Sequence, residues 1–281
     1  MKKKSLLDLK RMREKGEKAT WITAYDALTA TLAEQAGLDM LLVGDSVGMC
    51  IYGYGSTNQM SMAIMIEHTK AVRRGAPNTF VIGDMPFLSY QVSNEEAVKN
   101  AGAFIQQCEA DAIKLEGGVR VADRIRAIAD SGIVVFGHIG LTPQSSGQFG
   151  GFKAQGLTVE SAKEVIADAK AVEEAGAGAL LVEAVAPEVT QVIHELLSIP
   201  VYSIGAGPLC DGQLLIVADL LGWFEAFTPK FVKKYANLSK VIKDAFVEYC
   251  DEVRKGEFPT PKHVYNMKEG ELEKLRKELG K

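Results

Sequence analysis

The chain has 281 residues, 47% hydrophobic and 24% charged, with 32 basic and 36 acidic side chains for a formal charge of −4. That length supports one large domain with a substantial core, and (β/α)8 barrels of this size are common. The near balance of charge, with no like-charged block beyond Lys2-Lys3-Lys4, argues against a nucleic-acid or membrane-surface role, so a small-molecule partner is expected.

Strand-like and helix-like segments alternate from about residue 18 to about residue 225, the signature of β-α units. An opening helix over 5–15 precedes a strand at 19–23, a helix at 27–36 ending on Gly37, and a strand at 40–43. A helix at 61–75, a strand at 79–83, a helix at 94–107 capped by Ser93 with Glu96, and a strand at 110–115 follow. The pattern continues with a helix at 120–131, a strand at 133–137, a helix at 159–175 capped by Thr158, and a strand at 179–182. The last units are a helix at 187–197, a strand at 200–204 and a helix at 212–221; Trp223–Phe227 is the only candidate for an eighth strand. The expectation is an α/β protein, a (β/α)8 TIM barrel with opening and closing helices over 1–258, followed by a charged tail at 259–281. Gly48–Asn58 and the glycine-rich Gly140–Leu157 read as lids or binding loops.

Cys50, Cys108, Cys210 and Cys250 stand far apart, with no Cys-x-x-Cys pair and no secretory leader pattern, so reduced thiols in a cytoplasmic protein are expected. No apolar run approaches the roughly 18–20 residues of a membrane span.

Four of the apolar strand runs stop at an acid: Asp45, Asp84, Glu116 and Glu183. In a parallel barrel all four carboxylates reach the crevice at the strands' C-terminal ends, where α/β proteins hold ligands. Asp45, Asp84 and Glu116 are oxygen ligands of the kind Mg²⁺ prefers, and an ion held by a few carboxylates can accept a 2-oxo acid and stabilise its enolate. The competing reading of each acid is a helix cap. Lys114, two residues before Glu116, shares its face of the strand, where it meets a substrate carboxylate, a buried acid, or both. A Schiff-base role is less favoured beside so many acids. Ser46 offers a hydroxyl and backbone N–H to a carboxylate or caps a helix. His138 orients substrate or is a structural histidine. Glu183, two strands away from the other acids, is placed to take a proton from the carbon beside the ketone, or else forms an ion pair.

Longer motifs carry a family resemblance: Val43-Gly44-Asp45-Ser46-Val47-Gly48-Met49, His68-Thr69-Lys70-Ala71-Val72-Arg73-Arg74-Gly75, Lys114-Leu115-Glu116-Gly117-Gly118, and Gly137-His138-Ile139-Gly140-Leu141-Thr142-Pro143-Gln144-Ser145. Gly205-Ala206-Gly207-Pro208, Cys210-Asp211-Gly212-Gln213 and Thr228 through Ala236 extend it. From the opening helix to about Phe258 the chain closely resembles the ketopantoate hydroxymethyltransferase family. The resemblance implies a barrel of the phosphoenolpyruvate/pyruvate superfamily, a homo-oligomer, usually a decamer, and transfer of a one-carbon unit from 5,10-methylenetetrahydrofolate to 3-methyl-2-oxobutanoate to form 2-dehydropantoate. It further implies Mg²⁺ or another divalent ion on Asp45, Asp84 and Glu116, the keto acid's carboxylate on Ser46 and Lys114, and Glu183 as the base; Asp45, Asp84 and His138 are expected to contact the keto acid as well.

The chain departs from the family pattern at Gly53–Met60, at Ser146-Gly147, at Leu157, at Ser203, and at Ala184-Val185-Ala186 after Glu183. The alternatives these departures leave are a divergent aldolase using formaldehyde or another 2-oxo acid, and a lyase of the same superfamily. The Gly-His-x-Gly-Leu-Thr-Pro-Gln-Ser run favours the transferase over the lyase. A non-enzymatic scaffold has little use for four strand-end acids.

Overall fold

Eight strands follow one another around a closed parallel barrel: β1 (Ala19–Thr23), β2 (Met40–Val43), β3 (Phe80–Asp84), β4 (Ala112–Glu116), β5 (Val135–Gly140), β6 (Ala179–Glu183), β7 (Val201–Ile204) and β8 (Gly212–Leu215). The structure is a computed structural model and describes residues 3–281. Closure removes the sheet edges, and the helices outside bury the strands' outer faces as well. That double burial is why most strands read as continuous apolar runs rather than alternating ones.

The helices are α1 (Leu6–Glu14), α2 (Ala27–Ala36), α3 (Val47–Cys50), α4 (Met62–Gly75), α5 (Asn94–Cys108), α6 (Ala122–Asp130), α7 (Ser146–Phe149), α8 (Val159–Glu174), α9 (Pro187–Leu196), α10 (Val217–Leu220), α11 (Leu238–Lys255) and α12 (Glu271–Glu278). Their ends follow local chemistry. Asp26 accepts the Thr29 amide to start α2, and Gly37, at φ 86°, ends it. Ser93 accepts the Glu96 amide at 3.1 Å to start α5, without the return bond from the Glu96 side chain that would complete a capping box among the described residues.

The barrel interior is filled by Trp21, Met40, Leu42, Phe80, Ile82, Phe136, Leu181 and Tyr202, and Leu9 of α1 joins this cluster. The larger cluster lies between the strands' outer faces and the helices.

The eighth strand corrects the sequence reading. It is Gly212–Leu215, inside the segment expected to be a helix, and 223–227 forms no strand. β8 pairs with β1 through Ala19↔Gly212 to Ile22↔Leu215 and with β7 through Tyr202↔Gly212. A short apolar run is ambiguous between strand and helix by periodicity alone, and the open edges of β1 and β7 decide for strand. Gly212 is required there, since a Cβ would lie 2.2 Å from the Ala19 carbonyl oxygen.

Contacts divide the chain into two compact units, the barrel unit ending at Tyr235 and a second at Ala236–Lys281. The second contains α11, a 3-10 turn at Pro261–His263 and α12, with Phe258 packed between Tyr249 and His263. Among the described residues no helix is long and apolar enough to cross a membrane.

Candidate active site

Side chains alternate along each strand, so the residues in phase with the barrel core at one end line the cavity at the other. Phe80 and Ile82 lead to Asp84, Ala112 to Lys114 and Glu116, Phe136 to His138, and Ala179 and Leu181 to Glu183. Strand register sets the neighbours: Asp84 stands beside Lys114, and Glu116 beside His138. Asp45 and Ser46 follow β2 at the turn into α3. The seven sequence-predicted residues therefore converge on one cavity of about 400 Å³ at the C-terminal end of the barrel.

The floor is densely hydrogen-bonded. Lys114 Nζ donates to Asp84 Oδ1 at 2.7 Å and Glu116 Oε1 at 3.3 Å. The Asp45 amide donates to Asp84 Oδ2 at 3.0 Å. Both readings of Lys114 thus remain compatible, because an ammonium has three donors and two are used here.

Burial and then the Asp84 charge push the Asp45 carboxyl well above the usual carboxylate range. Burial also raises Asp84, against the pull of Lys114. For Glu116 burial is outweighed by Lys114 and His138, and its carboxyl falls to about 2. Burial opposes the Lys114 charge, yet Asp84, Glu116 and Asp45 hold it protonated.

His138 sits between Glu116, 3.5 Å from Nδ1, and Glu183, 3.1 Å from Nε2. Neither N–H is aimed along its contact, so both buried ring nitrogens lack a directed hydrogen bond. Burial and Lys114 oppose protonation, but the two flanking carboxylates raise His138 to about 9. Undirected donors of this kind are free to turn toward a ligand oxygen.

Among the described residues no three His, Cys, Asp or Glu side chains stand ready as a metal-ligand group. Lys114 occupies the space between Asp84 and Glu116. The donor set still fits Mg²⁺, which binds through one or two carboxylates and leaves positions for water and substrate oxygens. Asp45 and Asp84 are the adjacent, mutually repelling pair, and Asp45 Oδ1 accepts no hydrogen bond among the described residues, its Oδ2 taking Gln144. A divalent cation relieves that repulsion.

Four residues of this region, Gln144, Tyr90, Gly140 and Asp219, escaped sequence reasoning as site residues. Gln144 donates from Nε2 to Asp45 Oδ2 at 2.9 Å and to the Met85 carbonyl at 3.0 Å, and from its amide to Glu116 Oε2 at 3.0 Å. The Tyr90 hydroxyl accepts the Glu116 amide at 3.1 Å and donates to Gln144 Oε1 at 2.8 Å. Gly140, at φ 87°, lets the chain turn back over the site, and a Cβ there would lie 2.4 Å from the Glu183 carbonyl oxygen. The Pro143-Gln144 pair at this turn was a usable signal for Gln144. The fourth, Asp219, follows β8 on α10, and its signal was hidden by the misread strand.

The sequence profile of the family described as ketopantoate hydroxymethyltransferase matches residues 3–261. A relative from Alkaliphilus metalliredigens (strain QYMF), named 3-methyl-2-oxobutanoate hydroxymethyltransferase, is 61% identical over 280 residues, covering 99% of this chain and 99% of its own. The chain belongs to the ketopantoate hydroxymethyltransferase family. It is accordingly an enzyme of the hydroxymethyltransferase class. A relative of the same name from Enterococcus faecalis (strain ATCC 700802 / V583) is 50% identical over 273 residues, covering 97% of this chain and 99% of its own. Among solved structures, phosphonopyruvate hydrolase in complex with oxalate and Mg²⁺ superposes with TM-score 0.61 at 16% identity, covering 99% of this chain and 98% of that one. A 2,3-dimethylmalate lyase, described as a PEP mutase/isocitrate lyase superfamily member, does so with TM-score 0.58 at 17% identity over 92% and 91%. These likenesses are of fold, and they agree with the expected barrel.

The departures from the family pattern fall mostly away from the cavity. Of the departing positions Ala184 lines it, whereas Gly55, Asn58, Gln59, Met60, Ser146, Gly147, Leu157 and Ser203 do not; Thr57, which lines it too, keeps the family residue. Ala184 holds a left-handed φ of 49° directly after Glu183, a strain on the order of 1–2 kcal/mol for a non-glycine residue.

Proposed function

We propose that this enzyme transfers a hydroxymethyl unit from 5,10-methylenetetrahydrofolate to 3-methyl-2-oxobutanoate, forming 2-dehydropantoate. The observation that carries the reading is the charge imbalance on the cavity floor. Asp45, Asp84, Glu116 and Glu183 share one cavity with Lys114 and His138 as the cations beside them.

Asp45 and Asp84, supported by Glu116, would hold Mg²⁺ or another divalent ion. When bound, that ion supplies a Lewis acid for the ketone of the acceptor. The third donor of Lys114 and the Ser46 hydroxyl hold the acceptor's carboxylate. Glu183, approaching from β6, takes the proton from C3, and the bonding pair moves into the enolate. C3 then bonds to the one-carbon unit and water supplies the hydroxyl oxygen; the two carbon–nitrogen bonds to the folate break, one nitrogen taking the proton held by Glu183 and the other the remaining proton of the water. The undirected N–H groups of His138, which lies 3.1 Å from Glu183 at Nε2, turn toward the acceptor's oxygens. The cavity's size suits a keto acid together with part of a larger donor.

The deciding experiment is an NMR assay of purified protein with Mg²⁺, 3-methyl-2-oxobutanoate and either methylenetetrahydrofolate or formaldehyde, with other 2-oxo acids as competitors. Product from methylenetetrahydrofolate supports the reading. Turnover with formaldehyde alone, or preference for another 2-oxo acid, replaces it with the aldolase.

A further inference from the structure

The floor chemistry uses the acids after β2, β3, β4 and β6. A fifth acid, Asp219, lies in the cavity wall past β8, four strands around the barrel from β4. It is 6% exposed, and among the described residues its carboxylate has no hydrogen bond and no ion pair within 4 Å. An unpartnered buried carboxylate is costly in a finished fold and calls for donors from outside. Burial raises it to about 6, with Lys234 near enough to moderate the rise.

Its surroundings describe the missing partner. Phe224, Phe227 and Phe231 line the same cavity, and Phe227 is 61% exposed, so flat apolar faces stand open beside the acid. Lys153 and Lys230 also line the cavity and form no ion pair among the described residues. A ligand that matches has a planar ring with two parallel N–H donors on one edge, and carboxylates at its far end. The ring N3–H and 2-amino group of a reduced pterin form such an edge, and they meet a carboxylate in the bidentate geometry of a guanidinium.

We propose that Asp219 anchors the pterin of the folate donor through N3–H and the 2-amino group, with the phenylalanines against the ring and the lysines toward the glutamate carboxylates. This rests on the folate reading above and names the residue that recognises the donor. It places the donor on the opposite side of the cavity from Lys114, so that the one-carbon unit enters between the two.

The test measures binding of tetrahydrofolate and of its 2-desamino-2-methyl analogue, by anaerobic calorimetry, to wild type, Asp219→Asn and Asp219→Ala. Wild type is expected to prefer tetrahydrofolate by roughly ten- to hundredfold, and both variants to lose that preference. Solvent exchange of the C3 proton of 3-methyl-2-oxobutanoate, which involves only the floor, reports that the variants are folded. Equal binding of the two ligands by wild type overturns the proposal without any variant, as does a variant that keeps the full preference; in both cases tetrahydrofolate still binds and the folate reading stands. Absence of any tetrahydrofolate binding to wild type removes the folate reading and the pterin anchor together.

Discussion

The two ends of the barrel both hold acids, and they handle them in opposite ways. At the N-terminal end Asp39, Asp111 and Asp211 precede β2, β4 and β8, and each accepts a backbone N–H from the preceding strand: Thr20, Val81 and Val201 at 2.7, 2.9 and 2.8 Å. Each also has its own cation: Lys4 for Asp39, Arg73 and Lys3 for Asp111, and Arg13 for Asp211, which His194 joins. These acids extend the ladder where the barrel's stagger leaves a strand amide without a partner. At the C-terminal end the floor acids share Lys114 and His138, and among the described residues Asp219 has no hydrogen bond to its carboxylate and no ion pair within 4 Å. Matched charge at one end serves the fold; unmatched charge at the other waits for ligands.

The contrast can be broken most sharply at Glu183. Glu183→Gln is expected to slow exchange of the C3 proton by about 10²–10⁴-fold while keto-acid binding persists, as followed by NMR in D₂O. Unchanged exchange would take the base role from Glu183. At the opposite end, Asp211→Ala should cost about 3–5 kcal/mol in urea unfolding, because the buried Val201 amide loses its acceptor and the part-buried Arg13 its acid, with kcat little changed. A stable variant with lost turnover would mean that the N-terminal end is not merely structural.

Asp84→Ala should lower metal-dependent turnover by roughly a hundredfold, and full turnover would place the ion elsewhere. The smallest effect is one of sign. Asp219 is raised from 3.8 to about 6 in the fold, so between about pH 4 and pH 6 the folded protein holds more protons there than the unfolded chain. Stability therefore falls as pH rises through that window, and Asp219→Asn should flatten the fall, gaining on wild type in urea midpoint from pH 4 to 6. An unchanged slope would show that Asp219 is solvated or paired after all. Removing an acid thus destabilises one end of the barrel and relieves the other.

Much of the site was legible before the fold was known. Asp45, Asp84, Glu116 and Glu183 announced themselves because a parallel strand buried on both faces must be apolar along its length, so a terminal acid stands out. Lys114 followed from its two-residue spacing to Glu116. Gln144 and Tyr90 were not legible, since a loop glutamine and a buried tyrosine look like any others until the loop folds over the floor. Asp219 was missed for a different reason: Gly212–Leu221 reads equally well as a helix, and a strand-end acid is visible only where the strand is.

The chain alone determined the β-α rhythm, the barrel class and the acids on four strands, because period and local polarity are properties of neighbouring residues. Which residues closed the ring, and which charges went without partners, depended on contacts between segments far apart in sequence. The vacant hydrogen-bonding edges of β1 and β7 recruited Gly212–Leu215 as β8, and that choice carried Asp219 into the cavity wall. No local pattern encodes either outcome, since each is set by groups that meet only when the barrel shuts.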